Sequence, residues 1–158
     1  MTGNDDWDKG LEKLVTWQKA MNLAVTICKQ VVPMLPPDER HALADQLRRS
    51  AQSIPANIAE GHGRYYYQEG IRFCYIARGS LEETRSHLIF ACKMQYISSE
   101  TYHAMNREIE ELRRLLNGYI LFLKKTKRGG DDQQLQPGIR ETNESYETAM
   151  GEEDLFTS

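Results

Sequence analysis

The sequence lacks an apolar run long enough to cross a membrane and lacks any sign of disulfide chemistry. Its longest nearly apolar run, LLNGYILFL (Leu115 to Leu123), falls far short of the ~20 residues that a membrane helix needs. The acidic N-terminal stretch MTGNDDWDKG has no apolar segment typical of a signal peptide. The three cysteines form no CxxC pair and lie in apolar stretches, at Cys28, Cys74 and Cys92. We therefore expect a soluble, cytoplasmic protein with reduced core cysteines and no membrane contact.

Motifs for catalysis and for metal binding are missing as well. No GxSxG elbow and no GK[ST] motif occurs, and Gly61 and Gly63 are followed by Tyr66 where GxGxxG requires a third glycine. A ferritin-like di-metal site uses two ExxH motifs and two further glutamates, whereas this chain has one ExxH, from Glu100 to His103. These gaps predict a protein that is not an enzyme and that holds no cofactor or metal.

Helical periodicity dominates what is present. Apolar residues recur at spacings of three and four over about 11–34, 37–60, 68–95 and 99–128. The clearest repeat lies in the last segment, at Tyr102, Met105, Ile109, Leu112, Leu116, Tyr119 and Leu123. Helices of this length joined by short loops predict an all-α fold, an antiparallel up-down four-helix bundle over residues 11–128.

Several of these helices carry more than one apolar row. In the first helix the leading row is Leu14, Trp17, Met21, Ala24, Cys28 and Val31, and a second row beside it is Ala20, Leu23 and Ile27. The third helix adds Phe73, Ile76 and Phe90 to its main row. A bundle helix needs one apolar stripe, so the additional rows predict faces that contact other subunits.

The net charge of −3 is unevenly distributed along the chain. Residues 1–128 hold 19 Lys and Arg against 15 Asp and Glu, whereas residues 129–158 hold one against eight. The second range is polar and aperiodic, which predicts a disordered acidic tail, and residues 1–10 are predicted to be a flexible N-terminus. The tail has two interpretations: a solvated segment, or one whose acids screen the basic body or whose EEDLF sequence docks on a partner.

Basic residues of the body suggest contact with phosphate groups. The candidates for binding nucleic acid are Arg48, Arg49, Arg64, Arg72, Lys124, Lys125, Lys127 and Arg128. The run KKTKR at the end of the last helix is also favoured by the helix dipole alone. The tyrosines of RYYYQ, which begins at Arg64, suit either stacking on single-stranded nucleic acid or a subunit contact.

The stretch SIPANIAEGHGR, residues 53–64, reads as a structural motif rather than an active site. Pro55 removes a backbone hydrogen bond and predicts a kink in the second helix. Gly61 and Gly63 predict a left-handed helix cap. Asn57 and Glu60 share a side of the helix and are predicted to hydrogen-bond the neighbouring one. The whole motif, with its expected contacts on that neighbour, is Ser53, Pro55, Asn57, Glu60, Gly61, Gly63, Arg78, Gly79 and Ser80.

Four stretches carry a resemblance to a known family: LVTWQKAMNLA, QLRRSAQSIPANIAEGHGR, RFCYIARGSLEE and LLNGYI. Together they resemble the 23S rRNA intervening-sequence proteins of bacteria, over about residues 11–126. The same superfamily includes the accessory variability determinant proteins of diversity-generating retroelements, which bind a reverse transcriptase and nucleic acid. The resemblance implies a four-helix bundle that assembles as a homopentameric ring and has no known enzymatic activity.

Two hypotheses for function follow. The first is a non-enzymatic, homopentameric helical scaffold that contacts RNA or DNA through basic helix faces. The second is a protein-interaction adaptor, such as an accessory protein of a retroelement reverse transcriptase, that uses the ring surface and the acidic tail.

Overall fold

The computed structural model describes residues 9–64 and 66–128, and these residues form helices without any strand. The helices are α1 (Lys9–Glu12), α2 (Val15–Thr26), α3 (Leu43–His62), α4 (Tyr67–Lys93) and α5 (Ser99–Arg128). A π-helical turn (Ile27–Val31) and two 3₁₀ turns (Val32–Met34 and Pro37–Glu39) connect α2 to α3. The all-α prediction is confirmed, and the predicted acidic tail lies outside the described residues.

The long helices end close to where the sequence pattern predicted, except at the first. The predicted first helix is divided, because Leu14 is extended (φ −71°, ψ 107°) and separates α1 from α2. α1 begins at Lys9, inside the segment predicted to be a flexible terminus. Ser98 caps α5, since its Oγ accepts a hydrogen bond from the Thr101 backbone N–H at 3.1 Å. α4 ends before Gln95, which takes a left-handed φ of 60°.

The four long helices pack around one core. α3 packs mainly against α4, α4 also packs against α5, and α2 contacts both α3 and α5, so that α2 and α4 lie diagonally opposite. From Met105 to Leu123 the predicted α5 row is buried, as are Leu47, Ile58 and Leu81 of α3 and α4. Truncating one such leucine to alanine costs roughly 2–5 kcal/mol.

The core face of α2 includes the whole row that the sequence placed second and part of the leading row. Ala20, Leu23 and Ile27 are buried, whereas Met21 is exposed and Trp17 is half-buried. The leading row also contributes to the core, through Ala24, Leu14 and Val31, and Trp17 packs against its edge, so the prediction for this row is wrong at Met21. Two apolar rows of similar strength run along this helix, and the sequence alone gave no means of ranking them.

Glycine brings α3 and α4 together at one end of the bundle. A Cβ on Gly61 would lie 3.0 Å from both the Gly70 carbonyl oxygen and the Phe73 Cβ, and one on Gly70 would lie 3.2 Å from the Gly61 carbonyl oxygen. Both residues are buried, and their missing side chains permit this backbone contact. The predicted left-handed cap is wrong, because Gly61 is helical and Gly63, at the end of α3, has φ −77°.

The predicted contacts of Asn57 and Glu60 with a neighbouring helix are also wrong. Asn57 Nδ2 donates within its own helix, to the Ser53 carbonyl at 2.8 Å and the Ser53 Oγ at 2.9 Å. Glu60 forms an ion pair with Arg64 one turn later. Ser53 is the motif residue that reaches α4, through an Oγ–Oγ hydrogen bond of 2.8 Å to Ser80.

Of the other predicted contacts on α4, neither faces α3 as expected. Gly79 was expected to let a neighbouring helix approach closely. A Cβ at this position would meet no atom within 4 Å, so none of the described helices packs against Gly79. Arg78 turns to α5 instead, as described below. Pro55 is buried inside α3, which stays helical from Leu43 to His62, and the kink at Pro55 remains a prediction.

Candidate nucleic-acid interface

α4 and α5 meet along a line of polar side chains whose two halves differ in charge. Cross-helix contacts join residue 85 to 106, 82 to 113, 78 to 117 and 75 to 124, so the two helices are antiparallel. We define the paired seam as Glu82, Arg85, Asn106, Glu110 and Arg113. We define the cationic seam as Arg72, Tyr75, Arg78, Asn117 and Lys124.

In the paired seam each guanidinium meets a carboxylate. Arg113 Nη1 donates to both carboxylate oxygens of Glu110, at 2.8 and 2.9 Å, and Arg113 also forms an ion pair with Glu82 across the helices. Arg85 Nε donates to Asn106 Oδ1 at 3.0 Å, and its Nη1 lies 3.9 Å from Glu82 Oε2. Two cations and two anions leave this half of the seam without net charge.

The cationic seam is centred on Tyr75, which is 39% exposed. The Arg78 guanidinium carbon lies 4.8 Å from the centroid of the Tyr75 ring, and Arg78 Nη1 donates to Asn117 Oδ1 at 3.1 Å. Lys124 Nζ donates to the Tyr75 hydroxyl oxygen at 2.8 Å. Arg72 lies one turn before Tyr75 on α4 and is exposed. Both cations that touch the tyrosine thus meet neutral groups.

Among the described residues, no carboxylate pairs with any of these three cations. Within the part of the chain that the structure describes, neither Arg72, Arg78 nor Lys124 forms an ion pair. Cation–π contact offsets part of the repulsion between Arg78 and Lys124, by roughly 0.5–1 kcal/mol per contact at exposed sites. In general, unbalanced positive charge at a protein surface raises the local concentration of anions.

Of the residues predicted to bind nucleic acid, the structure gathers Arg72 and Lys124 around Tyr75. Arg64 is exposed and stacks 5.1 Å from the centroid of the Phe73 ring, at the start of α4, but it is paired with Glu60. Lys125 is exposed on the last turns of α5. The remaining α5 candidates, Lys127 and Arg128, belong to the helix, but their side chains lie outside the described set.

Arg48 and Arg49 do not join this group. They lie on α3, about 20 Å along the helix axis from its C-terminal end. Arg48 Nη1 donates to Asp45 Oδ1 at 3.1 Å, so its charge is compensated, whereas Arg49 is exposed. The eight candidates therefore do not form one continuous surface.

Two members of the cationic seam were missed from the sequence as ligand contacts. Tyr75 was assigned no role, and Arg78 was assigned to the contact with α3. The stretch RFCYIAR places Arg72, Tyr75 and Arg78 at i, i+3 and i+6, a spacing that makes Tyr75 the neighbour of both arginines on the helix surface. That spacing is the signal that identifies the cluster.

An apolar groove runs between α2 and α3, away from the cationic seam. It has a volume of about 560 Å³ and is lined by apolar side chains with Lys29 and Gln52 among them. The lining includes Trp17, Met21, Val25, Cys28, Pro55, Ala56 and Ala59. Cys28, predicted as a core residue, is half-buried in this groove, and Cys74 is fully buried. On α4, Ile76 and Phe90 are also exposed, by 42% and 48%.

No described set of three or more His, Cys, Asp or Glu side chains converges on a point where a metal ion could bind. Of the helices in the described ranges, none combines the length and the apolar character needed to span a bilayer. One histidine does stand out: burial lowers the pKa of His62, whose Nδ1 is buried without a partner among the described residues.

These features define a small helical-bundle protein with an uncompensated cationic seam. The family model for the 23S rRNA-intervening sequence protein matches residues 12–118, well over half of the chain, and the chain belongs to this family. A crystal structure of a protein of unknown function from the S23 ribosomal protein family of Bacteroides thetaiotaomicron is similar, with a TM-score of 0.61 and 28% identity. That alignment covers 67% of this chain and 98% of the other. No curated protein matches the chain.

Proposed function

We propose that this protein is a non-enzymatic, homo-oligomeric helical scaffold that contacts nucleic acid through the cationic seam. The observation that carries the proposal is the contrast along α4 and α5, where one half of the seam is neutral and the other holds three cations without a carboxylate. Membership of a family whose name ties it to 23S rRNA insertions supports RNA as the ligand.

Phosphate neutralisation gives this contact a measurable signature. Each phosphate that a Lys or Arg neutralises releases counterions, with a slope of log affinity against log salt of about −0.9 per contact on duplex and about −0.7 on single strands. Arg72, Arg78 and Lys124 therefore give each protomer a slope of roughly −2 to −3. Repetition of the seam around an oligomer raises the overall affinity further by multivalency.

Exposed apolar surface supports the oligomeric part of the proposal. One apolar surface is the groove between α2 and α3, and α4 exposes two further apolar side chains, Ile76 and Phe90, about 21 Å apart along its axis. Different surfaces that meet between copies make a head-to-tail contact, and such contacts form a ring where the rotation between copies closes. The ring size of five follows from the family resemblance. Light scattering or native mass spectrometry on the full chain tests it, and a monomer would contradict this part of the proposal.

A matched pair of charge variants tests the nucleic-acid contact. The test variant combines Arg72→Gln, Arg78→Gln and Lys124→Gln, and the control combines Arg40→Gln, Arg48→Gln and Arg49→Gln. Both remove three positive charges. Binding to a structured RNA is followed by fluorescence anisotropy from about 50 to about 200 mM salt. We expect the test variant to lose most of the binding and of the salt slope, and the control to retain most of both. Equal losses would overturn the proposal.

The same RNA-binding experiment also tests the role of the acidic tail. Residues 129–158 carry eight acids against one base. If these acids screen the basic body, a chain of residues 1–128 binds RNA more tightly than the full chain at low salt. Absence of binding by residues 1–128 at about 50 mM salt would reject nucleic acid as the ligand.

The apolar groove favours a second function, that of a protein-interaction adaptor. An unpartnered apolar groove on a helical protein suits an amphipathic helix of another protein, including a reverse transcriptase. Co-purification of the tagged protein from its host separates the two functions. Recovery of a polymerase favours the adaptor, and recovery of ribosomal RNA favours the scaffold that contacts nucleic acid.

A further inference from the structure

Tyr75 is held in place from two directions. The Arg78 guanidinium stacks on the ring, 4.8 Å from its centroid. Lys124 Nζ is 2.8 Å from the hydroxyl oxygen but 5.4 Å from the centroid, so the ammonium lies at the hydroxyl edge of the ring rather than above its face. Arg78 is fixed in turn by Asn117 of α5. These contacts immobilise an aromatic ring that remains 39% exposed.

An immobilised, exposed aromatic ring beside cations is what nucleobase stacking requires. A base has an apolar face that stacks on tyrosine, and the phosphates on either side of it need cations within a few ångströms. Arg72 and Lys124 flank Tyr75 and form no ion pair within the described residues. Since the ring is already fixed, less conformational entropy is lost when a ligand binds.

The geometry also selects the form of the nucleic acid. In a duplex the bases are stacked on each other, and a protein side chain does not reach their faces. Bases of loops, bulges and single strands are free to stack on an aromatic ring. A seam that only neutralised phosphates would make no such distinction.

We infer that Tyr75 is the stacking platform for an unpaired nucleotide, and that Arg72, Arg78 and Lys124 hold the phosphates on either side of it. This inference rests on the proposed function and sharpens it, because it names an unpaired segment of RNA or DNA as the ligand. A ring that served solely to join α4 to α5 would contribute nothing to base stacking.

Oligonucleotides with 2-aminopurine at one position test the inference, because stacking quenches the fluorescence of this base. Wild type, Tyr75→Phe and Tyr75→Leu are titrated with an unpaired RNA, an unpaired DNA and the RNA in a duplex. Tyr96→Leu is the matched control, since Tyr96 is a tyrosine outside the cationic seam whose hydroxyl donates to Glu39 Oε1 at 3.1 Å. Circular dichroism and light scattering establish that each variant keeps its fold and its oligomeric state.

We expect Tyr75→Leu to bind the unpaired strands about 5- to 150-fold more weakly than wild type and to lose the quenching. Tyr75→Phe keeps the ring and retains the quenching, and Tyr96→Leu binds and quenches as wild type does. The RNA and DNA titrations show which sugar the site prefers. If Tyr75→Leu binds and quenches like wild type, or if the duplex binds as tightly as the unpaired RNA, the stacking inference is overturned while the phosphate contact stands. No binding by wild type to any of the three would overturn the proposed function itself.

Discussion

The paired and cationic seams occupy the same two helices in the same antiparallel arrangement, yet they differ in net charge: the paired seam is neutral and the cationic seam is positive. Glu82 and Glu110 compensate the arginines of the paired seam. In the cationic seam the partners of the cations are neutral: Arg78 donates to the Asn117 amide oxygen, and Lys124 donates to the Tyr75 hydroxyl oxygen. Helix packing is satisfied by either solution, so the missing carboxylates are not explained by the fold. Among the described residues, Arg72, Arg78 and Lys124 are thus left without an ion pair.

We expect the largest effect from a substitution that displaces α4 relative to α3. Gly61→Ala places a Cβ 3.0 Å from the Gly70 carbonyl oxygen and the Phe73 Cβ, so α3 and the cationic half of α4 must separate. We expect a loss of roughly 1–3 kcal/mol in the free energy of unfolding, together with weaker RNA binding. Thermal and urea denaturation measure the stability.

Gly79→Ala is the control for this variant, because residue 79 lies on α4 between the two seams. Its Cβ would meet open space, so we expect a gain of about 0.8–1 kcal/mol from helix propensity. Equal stability of the two variants would show that the contact between Gly61 and Gly70 is not close in solution.

Removing a carboxylate from the paired seam makes it resemble the cationic one. In Glu82→Gln, Arg113 loses its partner on α4 and Arg85 loses a nearby anion. Arg113 is three-quarters buried, so we expect the variant to lose about 1–2 kcal/mol of stability, more than an exposed pair contributes. RNA binding should rise slightly because a new uncompensated cation appears. An unchanged midpoint of urea denaturation would contradict the compensating role of Glu82.

The reverse change, Asn117→Asp, gives the cationic seam a carboxylate. The amide NH₂ becomes a second oxygen, and the oxygen that accepts from Arg78 at 3.1 Å then belongs to a carboxylate, with almost no change in side-chain size. We expect a stability gain of at most about 1 kcal/mol, and a salt slope for RNA binding that is smaller by about one contact. Asn106→Asp, in the paired seam, is the control and should leave the slope unchanged. A slope unaltered by Asn117→Asp argues against Arg78 as a phosphate contact.

A mild shift of pH acts on a group outside both seams, His62. Neither seam contains a histidine, whereas burial lowers the pKa of His62 below its usual 6.5. The unfolded chain therefore binds the proton more readily, and stability falls as the pH drops below about 6.5. We expect His62→Gln to reduce this acid-side loss, measured as the difference in melting temperature between pH 7.5 and pH 5.5. An identical pH profile in the variant would locate the loss elsewhere.

Local spacing predicted most of the fold but only part of the site. The α5 row from Met105 to Leu123 is buried as predicted, because each member is three or four residues from the next. The same reasoning did not identify Met21 as exposed, because α2 carries two apolar rows and only the neighbouring helices decide which members of each row they cover. At the site, Arg72 and Lys124 were predicted, whereas the role of Tyr75 was not, because its partner Lys124 lies 49 residues away.

The amino-acid sequence by itself determined that this chain forms four long helices and that its body is basic, because helical periodicity and charge are properties of neighbouring residues. The tertiary structure decided which cations are neutralised. An ion pair between α4 and α5 depends on the axial level and the rotation of each helix. Those quantities brought Glu82 to Arg113 and left Arg78 and Lys124 with an amide and a phenol. The glycine contact between α3 and α4 was decided in the same way, by the distance between two backbones.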